Sequence, residues 1–246
     1  MDHTAEKGKA WSVRKKVTVS LLTVLAMALV VVLVVGNVVY YWWLYFYIDY
    51  KRVYFAIENP KLEAEHVVFV GDSITDGCDL ARYYPTLHAY NRGIAGATSG
   101  DLVRHIGLAA YDLDPAVVVL LIGTNDYQRS RTHSNEGILA NYRIILEGLR
   151  QNLPDTKVLV QSVYPIADVS FHKHYIYGHG HIEDLNAAIE AMAYEFGYAY
   201  ADVYSLLEVG EEEMNPAYSE DGLHPNDLGY QVISAYLLPL IEALLA

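Results

Sequence analysis

A charge-free apolar run near the N-terminus places the strongest constraint on how this chain can fold. Residues 17–48 contain no Asp, Glu, Lys or Arg, and residues 17–35 are dominated by Leu, Val, Ala and Met. About 20 helical residues span the hydrocarbon core of a bilayer, so this run is long enough to cross one, even when tilted. The sequence therefore predicts a single transmembrane helix that precedes everything else in the chain.

The residues that flank this run predict its orientation. Three basic residues stand directly before it at 14–16, and an aromatic cluster occupies 40–47 near its other end. Basic residues are retained on the cytoplasmic side, and Trp and Tyr collect at membrane interfaces. We therefore expect a cytoplasmic tail at 1–16 and an anchor with an aromatic belt at 17–48. The basic pair at 51–52 opposes this orientation only weakly, and the C-terminal domain is expected to be extracytoplasmic.

Two other interpretations of the run fit its sequence less well. A cleaved signal peptide has a shorter apolar core followed by a small-residue cleavage site. Here the small-residue triplet Ala26-Met27-Ala28 lies in the middle of the run, and bulky aromatic residues follow. A buried core helix of a soluble protein would show a polar, solvent-facing side, which this run lacks. We favour an uncleaved anchor in the cell membrane.

Charge is divided unevenly between this N-terminal part and the rest. Of the formal net charge of −13, residues 1–52 contribute +4, which leaves −17 for residues 53–246. A strongly acidic domain disfavours nucleic acid and anionic lipid headgroups as partners. The single cysteine, Cys78, excludes an intrachain disulfide.

Beyond a helical, polar linker expected at 49–65, strand and helix patterns alternate over a domain at 66–246. Strands alternating with helices predict an α/β fold with a parallel sheet covered by helices on both faces. The predicted strands lie at 66–70, 90–91, 116–122, 157–163 and 198–203, and the predicted helices at 101–110, 135–149, 182–196 and 226–245.

Polar, glycine-bearing loops follow several of these strands and carry the candidate chemistry. Ser73 follows the first strand, and a serine hydroxyl needs a base before it can attack an acyl carbon. His224 is the candidate base, and Asp221, three residues earlier, can hold its other ring nitrogen. The backbone N–H groups of Ser73 and Gly96 and the side-chain amide of Asn125 can stabilise a developing oxyanion. Singly, each residue also fits an ordinary turn or helix cap. Their joint occurrence at strand ends favours a catalytic site.

Four segments resemble, in order, the signature blocks of the SGNH/GDSL hydrolase family. They are Gly71-Asp72-Ser73, Asn91 with Gly93 and Gly96, Gly123-Thr124-Asn125-Asp126, and Asp221-Gly222-Leu223-His224. The resemblance covers residues 66–245, and the spacing is similar to that of platelet-activating-factor acetylhydrolases and lysophospholipase-like esterases. It implies a flavodoxin-like three-layer α/β/α sandwich and chemistry that needs no metal or cofactor. It also implies Ser73 as nucleophile, His224 as base with Asp221 as its partner, and an oxyanion hole of Ser73, Gly96 and Asn125.

Other polar residues admit several interpretations. The loop after the fourth strand holds two His-x-His pairs, His172/His174 and His179/His181. Imidazoles are common zinc ligands, but no Cys or acid completes a recognised spacing. A mobile lid, a substrate-facing wall and a plain solvated loop are the alternatives. For Asp72 and Asp76, beside the nucleophile, we expect hydrogen bonds that brace the loop.

Together these patterns predict a membrane-anchored serine esterase that hydrolyses acetyl or lipid-type esters through an acyl-enzyme. The expected partners are the membrane and a small-molecule, lipid or glycan ester. One alternative is an acyltransferase, in which an acceptor hydroxyl replaces the hydrolytic water at the same residues. A non-catalytic binding module is the other alternative, and the intact Ser, His and Asp set argues against it.

Overall fold

The chain forms two compact units, Met1–Tyr47 and Ile48–Ala246. The computed structural model describes residues 3–63, 66–129, 134–170, 181–210 and 213–246. A long helix, α1, covers His3–Glu58.

Helix α1 carries the apolar run. From Ser20 onward it is long and apolar enough to cross a membrane, and the most apolar part of it has no buried residue. A signal sequence near an N-terminus shares these features. The C-terminal helix of the chain, Asp227–Leu245, also has the length and composition of a span. Its residues Ile233, Leu237 and Ile241 nevertheless belong to the hydrophobic core of the second unit.

The second unit is built on a parallel sheet of five strands. These are β1 (Val67–Gly71), β2 (Ala89–Gly93), β3 (Val117–Leu121), β4 (Lys157–Gln161) and β5 (Ala199–Ala201). Their order in the sheet is β2-β1-β3-β4-β5, and every neighbouring pair is parallel. This is the strand order of flavodoxin-like folds, in which ligands bind beyond the carboxyl ends of the strands. The predicted fold class is confirmed.

Helices cover the sheet, and the long ones lie within a few residues of their predicted positions. They are α2 (Ser73–Asp76), α3 (Leu80–Tyr83), α4 (Ser99–Ala109), α5 (Asp126–Arg129), α6 (Asn135–Asn152), α7 (Ile182–Glu195), α8 (Val203–Leu207) and α9 (Asp227–Leu245), with 3₁₀ turns at Asn59–Lys61 and Tyr111–Leu113. The short helices α2, α3, α5 and α8 were not predicted, because four or five residues do not show a helical period. Strand β5 is shorter than predicted because Asp202 begins the next helix, where its side chain accepts the Ser205 N–H.

The core lies on both faces of the sheet. All five residues of β1 and all five of β3 are buried, as expected for central strands covered by helices on either side. Helix α6 packs one apolar stripe at helical spacing into the core, with Ile138, Tyr142, Ile145, Leu146 and Leu149 buried.

The segment predicted as a linker is helical, and residues 48–61 belong to the second unit. Phe55 is fully buried, and the Arg92 guanidinium lies 4.7 Å from its ring centroid. Arg92 also forms an ion pair with Glu58 at 2.9 Å, and the Asn59 amide donates to the Leu108 carbonyl at 2.8 Å. The polar composition of this segment therefore gave no sign that Phe55 is buried or that charged side chains pack around it. The folded domain starts before residue 66.

Candidate active site

Ser73 stands at the first position of α2, directly after β1. The preceding Asp72 caps this helix, because its carboxylate accepts the Ile74 N–H at 3.0 Å. A Cβ at Gly71 would come within 2.3 Å of the Leu121 carbonyl oxygen on β3. Glycine is thus required where the chain turns from the sheet toward the serine.

The three predicted catalytic side chains form one hydrogen-bonded chain. Ser73 Oγ lies 2.9 Å from His224 Nε2, and His224 Nδ1 lies 2.6 Å from Asp221 Oδ2. An ionised carboxylate can only accept hydrogen bonds, so His224 Nδ1 must donate its proton to Asp221. The lone pair on Nε2 then faces the Ser73 hydroxyl, which is the arrangement that a general base needs.

Asp221 is itself held by the loop that carries it. Its Oδ1 atom accepts the backbone N–H groups of Leu223 at 2.9 Å and His224 at 2.8 Å. Burial raises the pKa of Asp221, but hydrogen bonds from the His224 ring and from these N–H groups outweigh it and lower the pKa to about 2. The carboxylate therefore stays ionised throughout the mildly acidic and neutral range and can stabilise a protonated His224.

The predicted oxyanion donors Gly96 and Asn125 belong to two loops that contact each other. The Asn125 amide donates to the Ala97 carbonyl at 3.1 Å, and the Ile94 N–H donates to the Gly71 carbonyl at 3.0 Å. Gly96 has a φ of +74°, a conformation that favours glycine. Its loop is thereby fixed between the end of β1 and the loop after β3.

Asn91 and Gly93 of the second block brace the nucleophile's helix. The Asn91 amide donates to the Thr75 carbonyl at 2.6 Å and the Cys78 carbonyl at 3.1 Å. A Cβ at Gly93 would meet the Asp76 backbone nitrogen at 2.2 Å. These residues therefore position the turn that follows Ser73 and do no chemistry in this structure.

Asp126 has a positioning role that the sequence did not reveal. It is fully buried, and its carboxylate accepts the Ser99 hydroxyl at 2.6 Å and the Ser99 N–H at 2.7 Å. It thus ties the loop after β3 to the first turn of α4. In the sequence, Asn125-Asp126 after a strand also fits an ordinary turn or helix cap, and the 27 residues between Asp126 and Ser99 leave no local signal for their pairing.

Asp72 gives the domain a pH-dependent stability. Burial raises the pKa of Asp72 to about 7 from 3.8, and the nearby Asp126 adds to the effect. The fold therefore favours the protonated acid, and the free energy of unfolding falls as pH rises from about 4 through about 7. We expect Asp72→Asn, which keeps the acceptor for Ile74, to raise the unfolding temperature by a few degrees at pH 8 and to have little effect near pH 4.

Thermal unfolding of both proteins across this pH range measures the difference. Asp155→Asn is the control, because Asp155 is exposed. A lower unfolding temperature for Asp72→Asn than for wild type at pH 8 would contradict the prediction.

Metal ligation is not supported in the part of the chain that the structure describes. There, no group of three or more His, Cys, Asp or Glu side chains is placed to hold an ion. Three of the four loop histidines, His172, His174 and His179, lie outside the described residues. The fourth, His181, accepts the Asn135 amide through its backbone carbonyl at 2.9 Å.

An open cleft lies beside the histidine. It has a volume of about 420 Å³ and is lined by Glu220, Asp221, His224, Pro225, Asn226 and Asp227. A small cavity of about 20 Å³ lies behind α2 and is lined mainly by apolar side chains, including Ile74, Leu121 and Tyr164. Tyr84, Tyr127 and Tyr164 are at most 3% exposed and are core residues.

The comparison with protein families decides the classification. A model of the GDSL-like lipase/acylhydrolase family matches residues 69–232. This chain belongs to that family. The match includes every predicted site residue, and the resemblance inferred from the four motif blocks is confirmed.

Individual members of the family agree with this assignment. A homologue of the platelet-activating factor acetylhydrolase IB subunit beta from Drosophila melanogaster is 31% identical over 104 residues, 40% of this chain and 44% of the relative. A multidomain esterase from Ruminococcus flavefaciens is 27% identical over 135 residues, 53% of this chain and 16% of the relative. The chain thus matches less than half the length of either curated relative.

Among solved structures, a GDSL-like lipase from Bacteroides thetaiotaomicron has a TM-score of 0.69 and 30% identity. The comparison covers 80% of this chain and 98% of the lipase. This likeness extends over the catalytic domain and agrees with the family assignment.

Proposed function

We propose that this protein is a membrane-anchored serine esterase with Ser73 as nucleophile, His224 as general base and Asp221 as the residue that orients it. The observation that carries the proposal is the unbroken chain of hydrogen bonds, 2.9 Å from Ser73 to His224 and 2.6 Å from His224 to Asp221. Membership of an esterase family supports the same chemistry.

The proposed first half-reaction forms an acyl-enzyme. His224 Nε2 takes the proton of Ser73 as Oγ attacks the ester carbonyl carbon. The negative charge that develops on the carbonyl oxygen is stabilised by the N–H groups of Ser73 and Gly96 and by the Asn125 amide. His224 then gives the proton to the departing alcohol as the ester C–O bond breaks.

The second half-reaction restores the enzyme. A water molecule replaces the alcohol, and His224 removes its proton as the water oxygen attacks the acyl carbon. The same donors stabilise the second oxyanion, and the carboxylic acid leaves when His224 returns the proton to Ser73 Oγ. An acceptor hydroxyl in place of the water would make the protein an acyltransferase, without any change in these residues.

The surroundings of His224 favour a short acyl group. The open cleft there is lined by polar and acidic side chains. The cavity behind α2, at about 20 Å³, has room for about one water molecule and is too small for an octanoyl chain. An acetyl group needs no apolar tunnel, whereas an octanoyl chain would find little apolar cover beside His224 among the residues that the structure describes. The Drosophila relative is likewise a homologue of an acetylhydrolase subunit.

We therefore expect the full-length chain in detergent to hydrolyse p-nitrophenyl acetate with a kcat/KM at least about tenfold above that for the octanoate. Initial rates of p-nitrophenol release measure both values, and the Ser73→Ala protein supplies the background. A preference for octanoate would contradict the short-acyl assignment and favour lipid-type esters. Transfer of the acetyl group to an added sugar alcohol in preference to water would favour the acyltransferase.

We further propose that α1 anchors the enzyme with its N-terminus in the cytoplasm and the catalytic domain outside. The apolar run from Ser20 and the basic residues at 14–16 support this orientation. Alkaline phosphatase, which folds only outside the cytoplasm, is expected to be active when fused after Ala246 and inactive when fused after residue 16. The reverse pattern would contradict the orientation, and release of an active, soluble fusion would favour a cleaved signal sequence.

A further inference from the structure

We propose that Lys51 is a positioning residue for the oxyanion hole and acts through Asp76. This inference rests on the proposed function, because it concerns the same Ser73 site. Lys51 lies in the helical segment 48–61, and the family model begins only at residue 69. A segment outside the residues that the family model matches would therefore contribute to catalysis.

The first observation is a mostly buried ion pair. Lys51 Nζ lies 2.7 Å from Asp76 Oδ1, and the two side chains are only 15% and 14% exposed. The Lys51 ammonium also lies 5.3 Å from the centroid of the fully buried Phe55 ring. Removing one partner of a buried pair leaves the other charge poorly solvated. Lys51 therefore neutralises the mostly buried Asp76 carboxylate and holds one of its two oxygens.

The second observation is what Asp76 does with its other oxygen. Asp76 Oδ2 accepts the Ala95 N–H at 3.0 Å, and Ala95 directly precedes Gly96, a proposed oxyanion donor. Asp76 is also the last residue of α2, the helix that begins with Ser73. One carboxylate thus joins the nucleophile's helix to the loop that carries Gly96.

The third observation explains why a side chain is needed at this point. Gly96 has a φ of +74°, and its loop lies between β2 and α4 without belonging to either. Its N–H must lie within hydrogen-bond distance of an oxyanion that exists only in the transition state. A misplacement of about 1 Å can lower a rate by about 100-fold. Lys51 supplies the charge that fixes Asp76, and Asp76 accepts the hydrogen bond from Ala95 that holds the loop.

The inference predicts a specific kinetic effect. In the full-length chain, Lys51→Met is expected to lower kcat about tenfold, with KM changed less than about twofold, because the lost contact supports the transition state and not substrate binding. Lys51→Arg, which preserves the cation, should recover most of the loss. Lys61→Met is the matched control, since Lys61 is exposed in the same segment.

A double-mutant cycle separates this route from a general loss of packing. If Lys51 acts through Asp76, adding Lys51→Met to Asp76→Ala should lower kcat by less than about twofold further. If the two substitutions lower kcat independently, so that the loss in the double variant is the product of the single losses, the inference is overturned. Full kcat in Lys51→Met would also overturn it, as would failure of Lys51→Arg to recover activity. A wild-type protein without Ser73-dependent turnover would instead refute the proposed function, and thermal unfolding confirms that each variant is folded.

Discussion

Ser73→Ala is expected to lower kcat for ester hydrolysis by several orders of magnitude, to the small residual rate that substrate binding and the oxyanion donors provide. Ser73 Oγ is the atom that lies 2.9 Å from His224 Nε2, and no acyl-enzyme can form without it. In other serine hydrolases, loss of the nucleophile or its base costs on the order of 10⁶ in kcat. Release of p-nitrophenol from p-nitrophenyl acetate, corrected for the rate in buffer, measures the effect.

The matched control for this variant is Ser205→Ala, because Ser205 is an exposed serine on α8. It should hydrolyse the ester at the wild-type rate. The unfolding temperature of Ser73→Ala should stay close to that of wild type, since the variant removes only one hydroxyl. Substantial turnover by folded Ser73→Ala would contradict the assignment of the nucleophile.

Asp221→Asn is expected to lower kcat by about 10⁴ and to leave KM nearly unchanged. The backbone N–H groups of Leu223 and His224 occupy Oδ1, so an asparagine would keep its oxygen there and turn its NH₂ toward His224. That NH₂ would donate to Nδ1 and force the ring proton onto Nε2, where it blocks acceptance from Ser73. A comparable exchange in a protease triad costs about this factor.

The control for the asparagine variant is Asp155→Asn, an exposed acid outside the site, which should leave kcat unchanged. A loss in Asp221→Asn of less than about tenfold would contradict the role of Asp221. A loss confined to KM would contradict it as well, because Asp221 contacts His224 and not the substrate.

The fold could be predicted because its long elements carry clear patterns. The buried strands β1 and β3 are runs of Val, Leu and Phe, and α6 repeats apolar residues at helical spacing. Parallel strands bring the loops at their carboxyl ends to one edge of the sheet. That rule was enough to place Ser73 and Asn125 at the same edge.

The chain of Ser73, His224 and Asp221 was predicted from residue chemistry and motif order, and the structure brings the three side chains into contact. Their supports were harder to predict. Asp76 was expected to brace a loop, but its partner Lys51 lies 25 residues earlier in a segment whose polar composition suggested a linker. Whether Lys51 pairs with Asp76 depends on how Phe55 and Arg92 pack, and a single sequence does not show this packing.

The measurement that tests the central claim most directly is covalent labelling of the full-length protein with a fluorophosphonate, followed by peptide mass spectrometry. We expect one adduct per chain, located on Ser73, with esterase activity lost in proportion to labelling. Labelling should be absent in Ser73→Ala and much slower in Asp221→Asn. An adduct on a different residue, or full esterase activity in completely labelled protein, would contradict the claim that Ser73 is the nucleophile.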